Sequence, residues 1–279
     1  MKVNSFSLFG DKQRWAAYLG TNIRQHFTLY HDPSWVLWVY TDHELNDQGY
    51  CPVLRKLAAE GLIRVTVVPD AGQFYQRHLR CTMMLWRMLP IWENTEFVFC
   101  RDLDSILTPR QLQCVRAFIS TGKAVHGIND NRSHCIPLMG GMCGFNTKAF
   151  LDIFRVSSLD DLLRGKFREE GSTIYGYDQD FLTNIIWPPT QQSSCIHRLE
   201  GPNDRSANKN VTEANMQDIP EHVRNRGDDF TNYIGAVGCN TSRGSFSAKE
   251  IVDFYNEYGN KEKCDQVTQI EKSLGWEWK

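Results

Sequence analysis

Two hydrophobic periods alternate along the first third of the chain. Val3–Phe9 alternates like a half-buried strand. Trp15–Leu29 puts Trp15, Tyr18, Leu19, Ile23 and Phe27 on one helical face. After the turn His31-Asp32-Pro33-Ser34, Trp35–Tyr40 reads as a second strand. Pro52–Glu60 is a short helix stopped by Gly61, Ile63–Val68 a third strand, and Arg77–Ile91 a helix ending near Pro90. Phe97–Cys100 is the fourth strand. Strands that each wait for a helix pair in parallel, with helices covering the faces of the sheet. The expected class is α/β, three layers around a mostly parallel central sheet.

The second half is less regular. Thr108–Ser120 reads as a helix with Pro109 tolerated at its start, and Lys123–Ile128 as a strand. Pro137–Phe145 mixes apolar residues with three glycines, which suits either a bulged core strand or backbone that closely approaches a ligand. Asp178–Ile186 is a helix that Asp178 could cap. Residues 188–229 are polar and loop-rich, Tyr233–Val237 is a late strand and Ala248–Tyr258 a helix. No repeat or linker divides the 279 residues, so one domain is expected over 1–279.

Composition excludes several classes. The net charge is −2 and no basic stripe runs along the chain, so nucleic acid is not an expected partner. The apolar runs are too short for a membrane span, and Met1–Ser5 lacks the shape of a signal peptide. Nine cysteines, an odd number with no CxxC pair, read as reduced buried thiols of a cytoplasmic protein. The sequons at Asn210 and Asn240 are then expected to be unused.

The chemistry concentrates where the fourth strand ends, in Phe97-Val98-Phe99-Cys100-Arg101-Asp102-Leu103-Asp104-Ser105. In open α/β sheets, ligands bind beyond the carboxyl ends of the strands. Asp102 and Asp104, two apart in an extended segment, leave on one side. Such a pair of hard oxygen donors suits Mg2+ or Mn2+ shared with substrate phosphates. An Asp-x-Asp also arises by chance in a chain this rich in aspartate, so its position at a strand end gives it weight. Arg77, Arg80 and Arg87 lie on one predicted helix, and Arg80 is the favoured partner for a diphosphate. Asp178, Asp130 and His134 are further candidate site residues. A surface role competes with a metal-ligand role for His197.

Four pieces occur in order: Ser5-Phe6-Ser7-Leu8-Phe9-Gly10, Arg101-Asp102-Leu103-Asp104-Ser105, Met139-Gly140-Gly141-Met142-Cys143-Gly144 and Tyr177-Asp178-Gln179-Asp180-Phe181-Leu182. Over residues 4 to 237 the chain resembles GT-A-fold glycosyltransferases. It is most similar to a small type found in bacteria and large algal viruses, and more weakly to algal-virus xylosyltransferases. Many of these relatives carry Trp where this chain has Cys143. The resemblance implies a GT-A (Rossmann-like) α/β/α domain, with residues 1–105 as the nucleotide-binding half and 106–279 as the acceptor-side half. It implies transfer of a sugar from a UDP-sugar, UDP-xylose or a UDP-hexose, to a hydroxyl of an oligosaccharide or glycoprotein glycan. Mn2+ or Mg2+ would be held by Asp102, Asp104 and His197. Asp178 would be the first choice for a general base and Asp130 the second, with His134 near the acceptor. Ser7, Leu8, Phe9, Arg80, Asp102, Leu103, Gly140, Gly141 and Gln179 would contact the donor, and the location would be cytoplasmic (the host's, if viral).

Three rivals stay open at this level. A haloacid-dehalogenase-like phosphatase also places Asp-x-Asp after an apolar strand, but usually after the first, and Ile106 stands where it prefers Thr or Val. A non-catalytic glycan-binding protein would use the eight tryptophans, most of which fit core positions. A sugar-nucleotide nucleotidyltransferase would want a better basic loop than Gly10-Asp11-Lys12-Gln13-Arg14.

Overall fold

Strand β1 (Lys2–Leu8) has parallel neighbours on both sides, β2 (Trp35–Thr41) and β4 (Phe97–Arg101). A strand in that position needs both faces covered, and Val3, Phe6 and Leu8 are all buried. The computed structural model describes residues 1–9, 12–42, 50–68, 82–105, 107–129, 136–163, 176–198, 216–218 and 260–275. The further strands are β3 (Arg64–Val67), β5 (Val125–Asn129), β6 (Cys143–Asn146), β7 (Ser194–Arg198) and β8 (Met216–Asp218). They join one eight-stranded sheet in the order β3-β2-β1-β4-β6-β5-β7-β8. Only β6 runs against the others, antiparallel to β4 and β5. The expected α/β class with a mostly parallel sheet is what the structure shows.

One face carries α1 (Lys12–Leu29), α2 (Tyr50–Ala59), α3 (Pro109–Thr121) and a C-terminal helix (Lys261–Ser273). Leu19, Ile23 and Phe27 pack with Phe6, Leu8, Leu37 and Val39, joined by Val267 and Ile270 of the C-terminal helix. Arg24 of α1 pairs with Glu271 of that helix. Helix α3 begins where the Thr108 hydroxyl accepts from the Gln111 amide at 3.1 Å, with Pro109 in its first turn. It stops at Gly122, whose φ of 66° a side chain would oppose.

The other face carries a tight 3-10 segment (Thr82–Trp92) and the helices α4 (Thr147–Phe154), α5 (Leu159–Leu163), α6 (Tyr177–Phe181) and α7 (Trp187–Thr190). A π-helical turn, Leu182–Ile186, links α6 to α7. Leu85, Met88 and Ile91 meet Val98, Phe145, Phe150 and Phe181 in this layer. The expected helix over Arg77–Ile91 is described from Thr82, and Pro90, which cannot donate an amide hydrogen, sits inside it.

Two departures lie in the second half. The polar stretch 188–229 holds β7 and β8, because Cys195 and Ile196 are a buried core too short to read as a strand beside His197 and Arg198. The C-terminal helix was not expected. The strand over Tyr233–Val237 and the helix over Ala248–Tyr258 lie outside the described residues. Among the described residues, no helix is long and apolar enough to cross a membrane.

Candidate functional site

After β1 the chain crosses to β2 on one side, and β4 takes the other. The crevice at the carboxyl ends of β1 and β4 is therefore a topological switch point, where ligands bind in such sheets. The chain leaves β4 at Arg101 and turns at once, the Ser105 amide reaching the Asp102 carbonyl at 3.3 Å. Asn22 of α1 holds this turn from below, its Nδ2 donating to the Leu103 carbonyl at 2.9 Å. Leu103 is buried with α1 and the C-terminal helix, while Asp102 and Asp104 stay half-buried at the rim.

At the centre is Arg87, from the 3-10 segment. Its guanidinium is 3% exposed and spans two carboxylates. Nη1 pairs with Asp102, and Nη2 donates to Asp178 Oδ2 at 2.6 Å. Its backbone amide donates to the Ser7 hydroxyl at the end of β1, at 3.1 Å. Three separate stretches of sequence thus meet on one residue, two at its guanidinium and one at its backbone amide. Burial works to lower the Arg87 pKa, but the two carboxylates more than offset this and raise it. Burial pushes the Asp178 carboxyl up, and Arg87 and the amides of Gln179 and Asp178 only partly oppose that.

The glycine loop closes the cluster. Gly140–Met142 forms one short turn before β6. A Cβ on Gly140 would overlap Asp178 Oδ2 and Arg87 Nη2, and one on Gly141 would overlap the Asp102 carboxylate. What these glycines admit is the acidic side chains themselves, at a distance no other residue allows. Because β6 is antiparallel to β4, the loop before β6 lies at the end where β4 delivers its aspartates.

Two buried thiols lie beneath this loop. Cys100 Sγ donates to the Arg87 carbonyl and Cys143 Sγ to the Gly140 carbonyl, each at 3.5 Å. The Cys143 thiol is raised well above its ordinary pKa, first by a hydrogen bond with Cys100 and then by burial.

Other expected site residues are placed as follows. Ser7 lines the cluster, whereas the Leu8 side chain points into the core with α1. Phe9 is half-buried, edge-on to Trp86 at 6.0 Å. Gln179 is half-buried at the start of α6 beside Asp178. Arg80, Asp130 and His134 lie outside the described residues. His197 is not brought to Asp102 and Asp104. It is buried in β7, three positions from β4 in the sheet, with Nδ1 2.9 Å from His126 Nε2. His126 stacks on Phe118 of α3 at 4.9 Å, so the pair belongs to the face opposite Arg87. Among the described residues, no three His, Cys, Asp or Glu side chains are gathered as a metal cage. Asp102 and Asp104 fit a hard divalent cation by donor type, with Asp102 already shared by Arg87.

Sequence reasoning named Arg87 only as one of three arginines. A sharper signal was available: Arg87 lies among Met83, Leu85, Trp86, Met88 and Ile91, all apolar, where a cation must be paired to be buried.

No family model matches the chain, and no curated protein matches it. Solved structures with some likeness include S. aureus TarS 1–349 in complex with UDP, at 15% identity and TM-score 0.42, covering 71% of this chain and 58% of that one. Another is S. aureus TarS, at 17% identity and TM-score 0.43, covering 72% of this chain and 35% of that one. A third is the mannosyltransferase PcManGT from Pyrobaculum calidifontis in complex with GDP-Man and Mn2+, at 11% identity and TM-score 0.44, covering 98% and 75%. The chain therefore spans little more than half of the TarS 1–349 structure and about a third of the longer one. With TM-scores below 0.5, the fold class rests on the strand order itself.

Proposed function

We propose that the chain is a metal-dependent glycosyltransferase that moves a sugar from a UDP-sugar to a glycan hydroxyl. One observation carries the reading: Arg87 joins the Asp102 of the strand end to the Asp178 of α6 under a glycine loop, at the switch point of the sheet. The cluster puts acidic groups and a fixed cation where a nucleoside diphosphate would lie in such a sheet. Asp104 and Asp102 would hold Mn2+ or Mg2+, which when bound neutralises charge growing on the departing diphosphate. His197, buried on the far face, is left out of that set. Residues 1–105 would hold the nucleotide at Ser7 and Phe9, and residues 106–279 would face the acceptor.

Arg87 keeps its charge fixed beside the place where the leaving group becomes anionic. Preorganised charge of this kind needs no reorganisation during the reaction. Gly140 and Gly141 leave room for the carboxylates to stay in place. Asp178 would take the proton of the acceptor hydroxyl, giving inversion, with Gln179 beside it on the sugar. A second reading is favoured by one contact. Arg87 Nη2 already engages Asp178 Oδ2 at 2.6 Å. That pairing suits a group that orients the donor sugar, and transfer would then retain configuration without a base on this side. A xylosyl or hexosyl donor fits either reading.

The test is incubation with a panel of UDP-sugars and Mn2+, following UDP release. The anomeric configuration of the product, read by NMR, separates the two roles of Asp178. Release of inorganic phosphate from small phosphoesters, with no UDP formed from any donor, would replace this reading with the phosphatase.

A further inference from the structure

Cys100 and Cys143 play no part in the chemistry above, yet they occupy a defined place behind it. Strands β4 and β6 pair as Phe97 with Asn146, Val98 with Phe145 and Phe99 with Gly144. The next pair in this register is Cys100 with Cys143. Opposite residues of an antiparallel pair project to the same face, with Cα atoms roughly 4.5–5.5 Å apart. A disulfide spans Cα separations of about 4.4–6.8 Å. Continued by one pair, this register gives Cys100 and Cys143 a spacing of the kind a disulfide spans. Both residues are 1% exposed, and no other two cysteines among the described residues face each other across adjacent strands.

We infer that Cys100 and Cys143 are an intrachain disulfide site whose closure disorganises the Arg87 cluster. As thiols they hold two carbonyls, those of Arg87 and Gly140, one on each side of the cluster. A disulfide has no S–H to donate, so both bonds are lost together. The sulfurs must also draw in to about 2.05 Å, which pulls the base of the glycine loop toward β4. That loop has no slack, because Gly140 and Gly141 already touch Asp178 and Asp102.

The oxidant is a small disulfide such as oxidised glutathione. One cysteine thiolate attacks it, expelling one small thiol and leaving a mixed disulfide. The second cysteine attacks the protein-side sulfur and expels the other small thiol. One protein S–S bond forms, and the two protons and two electrons leave on the two small thiols. Burial makes the reaction slow, paced by local opening.

The bond does not depend on the glycosyltransferase reading, although its effect on transfer does. The full chain is therefore exposed to oxidised glutathione under native conditions and mapped by peptide mass spectrometry without reduction. The expected result is a linked Cys100–Cys143 peptide pair, with faster amide hydrogen exchange at residues 139–144, both reversed by dithiothreitol. The Mn2+-dependent thermal shift with UDP should fall at least several-fold in the oxidised protein. Cys143→Ser should form no such link, and Cys100→Ser is the second control if that variant misfolds. Mixed disulfides at other cysteines without the Cys100–Cys143 link overturn the inference. So does a closed link with unchanged exchange at the loop. A protein that links and loosens as expected, but never responds to UDP even when reduced, counts against the proposed function alone.

Discussion

Three buried histidines make the fold sensitive to mild acid. His26 lies against Tyr30, and its Nδ1 accepts from Asn4 Nδ2 at 3.2 Å, so it is held neutral. Burial, helped by Lys263, lowers its pKa from 6.5 to about 3. Burial lowers His197 to about 4. His126 is also lowered well below 6.5, by burial first, then by His197 and Arg101. Each folded pKa lies below the unfolded one, so the unfolded chain binds more protons as pH falls. The stability held above about pH 6.5 is lost progressively toward pH 3–4. Between pH 7 and 5, one such group costs about 2 kcal/mol, at roughly 1.4 kcal/mol per pH unit once the unfolded form is protonated. His26 and His197 together cost about 4 kcal/mol, a large share of the roughly 5–15 kcal/mol that holds a domain. At about 2–4 °C per kcal/mol, Tm should drop by roughly 10 °C. Circular dichroism melts at pH 7, 6 and 5 and constant ionic strength measure this. The variant His197→Gln should melt lower at pH 7 but show a visibly shallower slope. A Tm that is flat from pH 7 to 5, or an unaltered slope in that variant, would refute the reasoning.

Three further predictions concern the site. Asp104→Ala should abolish sugar transfer while the protein still folds; a large Tm loss with activity kept per folded molecule would make Asp104 structural. Gly141→Ala should lose both activity and stability, because its Cβ overlaps the Asp102 carboxylate, and normal kinetics in a folded variant would contradict the packing. Arg87→Met should cost about 3–5 kcal/mol, since it strands two carboxylates. Adding Asp178→Asn should recover part of that loss, and denaturant titrations that find the two changes simply additive would dissolve the proposed pairing.

The first four strands are legible because each carries an alternating or continuous apolar pattern with helix-forming spacers between them. Phe97–Cys100 is the clearest case, and its position predicted where the aspartates would surface. Strand β7 was hidden because only Cys195 and Ile196 carry apolar signal before His197 and Arg198. The C-terminal helix was hidden because its buried face amounts to Val267 and Ile270 among charges. At the site, Asp102, Gly140, Gly141 and Asp178 could each be singled out from local pattern. Their meeting on Arg87 could not, because that depends on where the 3-10 segment crosses β4. His197 misled for a related reason: a histidine in a polar stretch looks exposed until the strand order buries it.

Strand β6 has a consequence for synthesis. The residues that complete β1 to β4 are all made by position 101, but the partner for the outer edge of β4 ends at Asn146. About 45 residues separate the two, which at roughly 5–20 residues per second leaves that edge open for several seconds. The open edge is Phe-Val-Phe-Cys, an apolar row of unpaired amides and carbonyls of the kind that templates another strand. The nascent chain is then most prone to aggregation in that interval. Slowing translation between Arg101 and Asn146 should lower the soluble yield, whereas an equal delay after Asn146 should not.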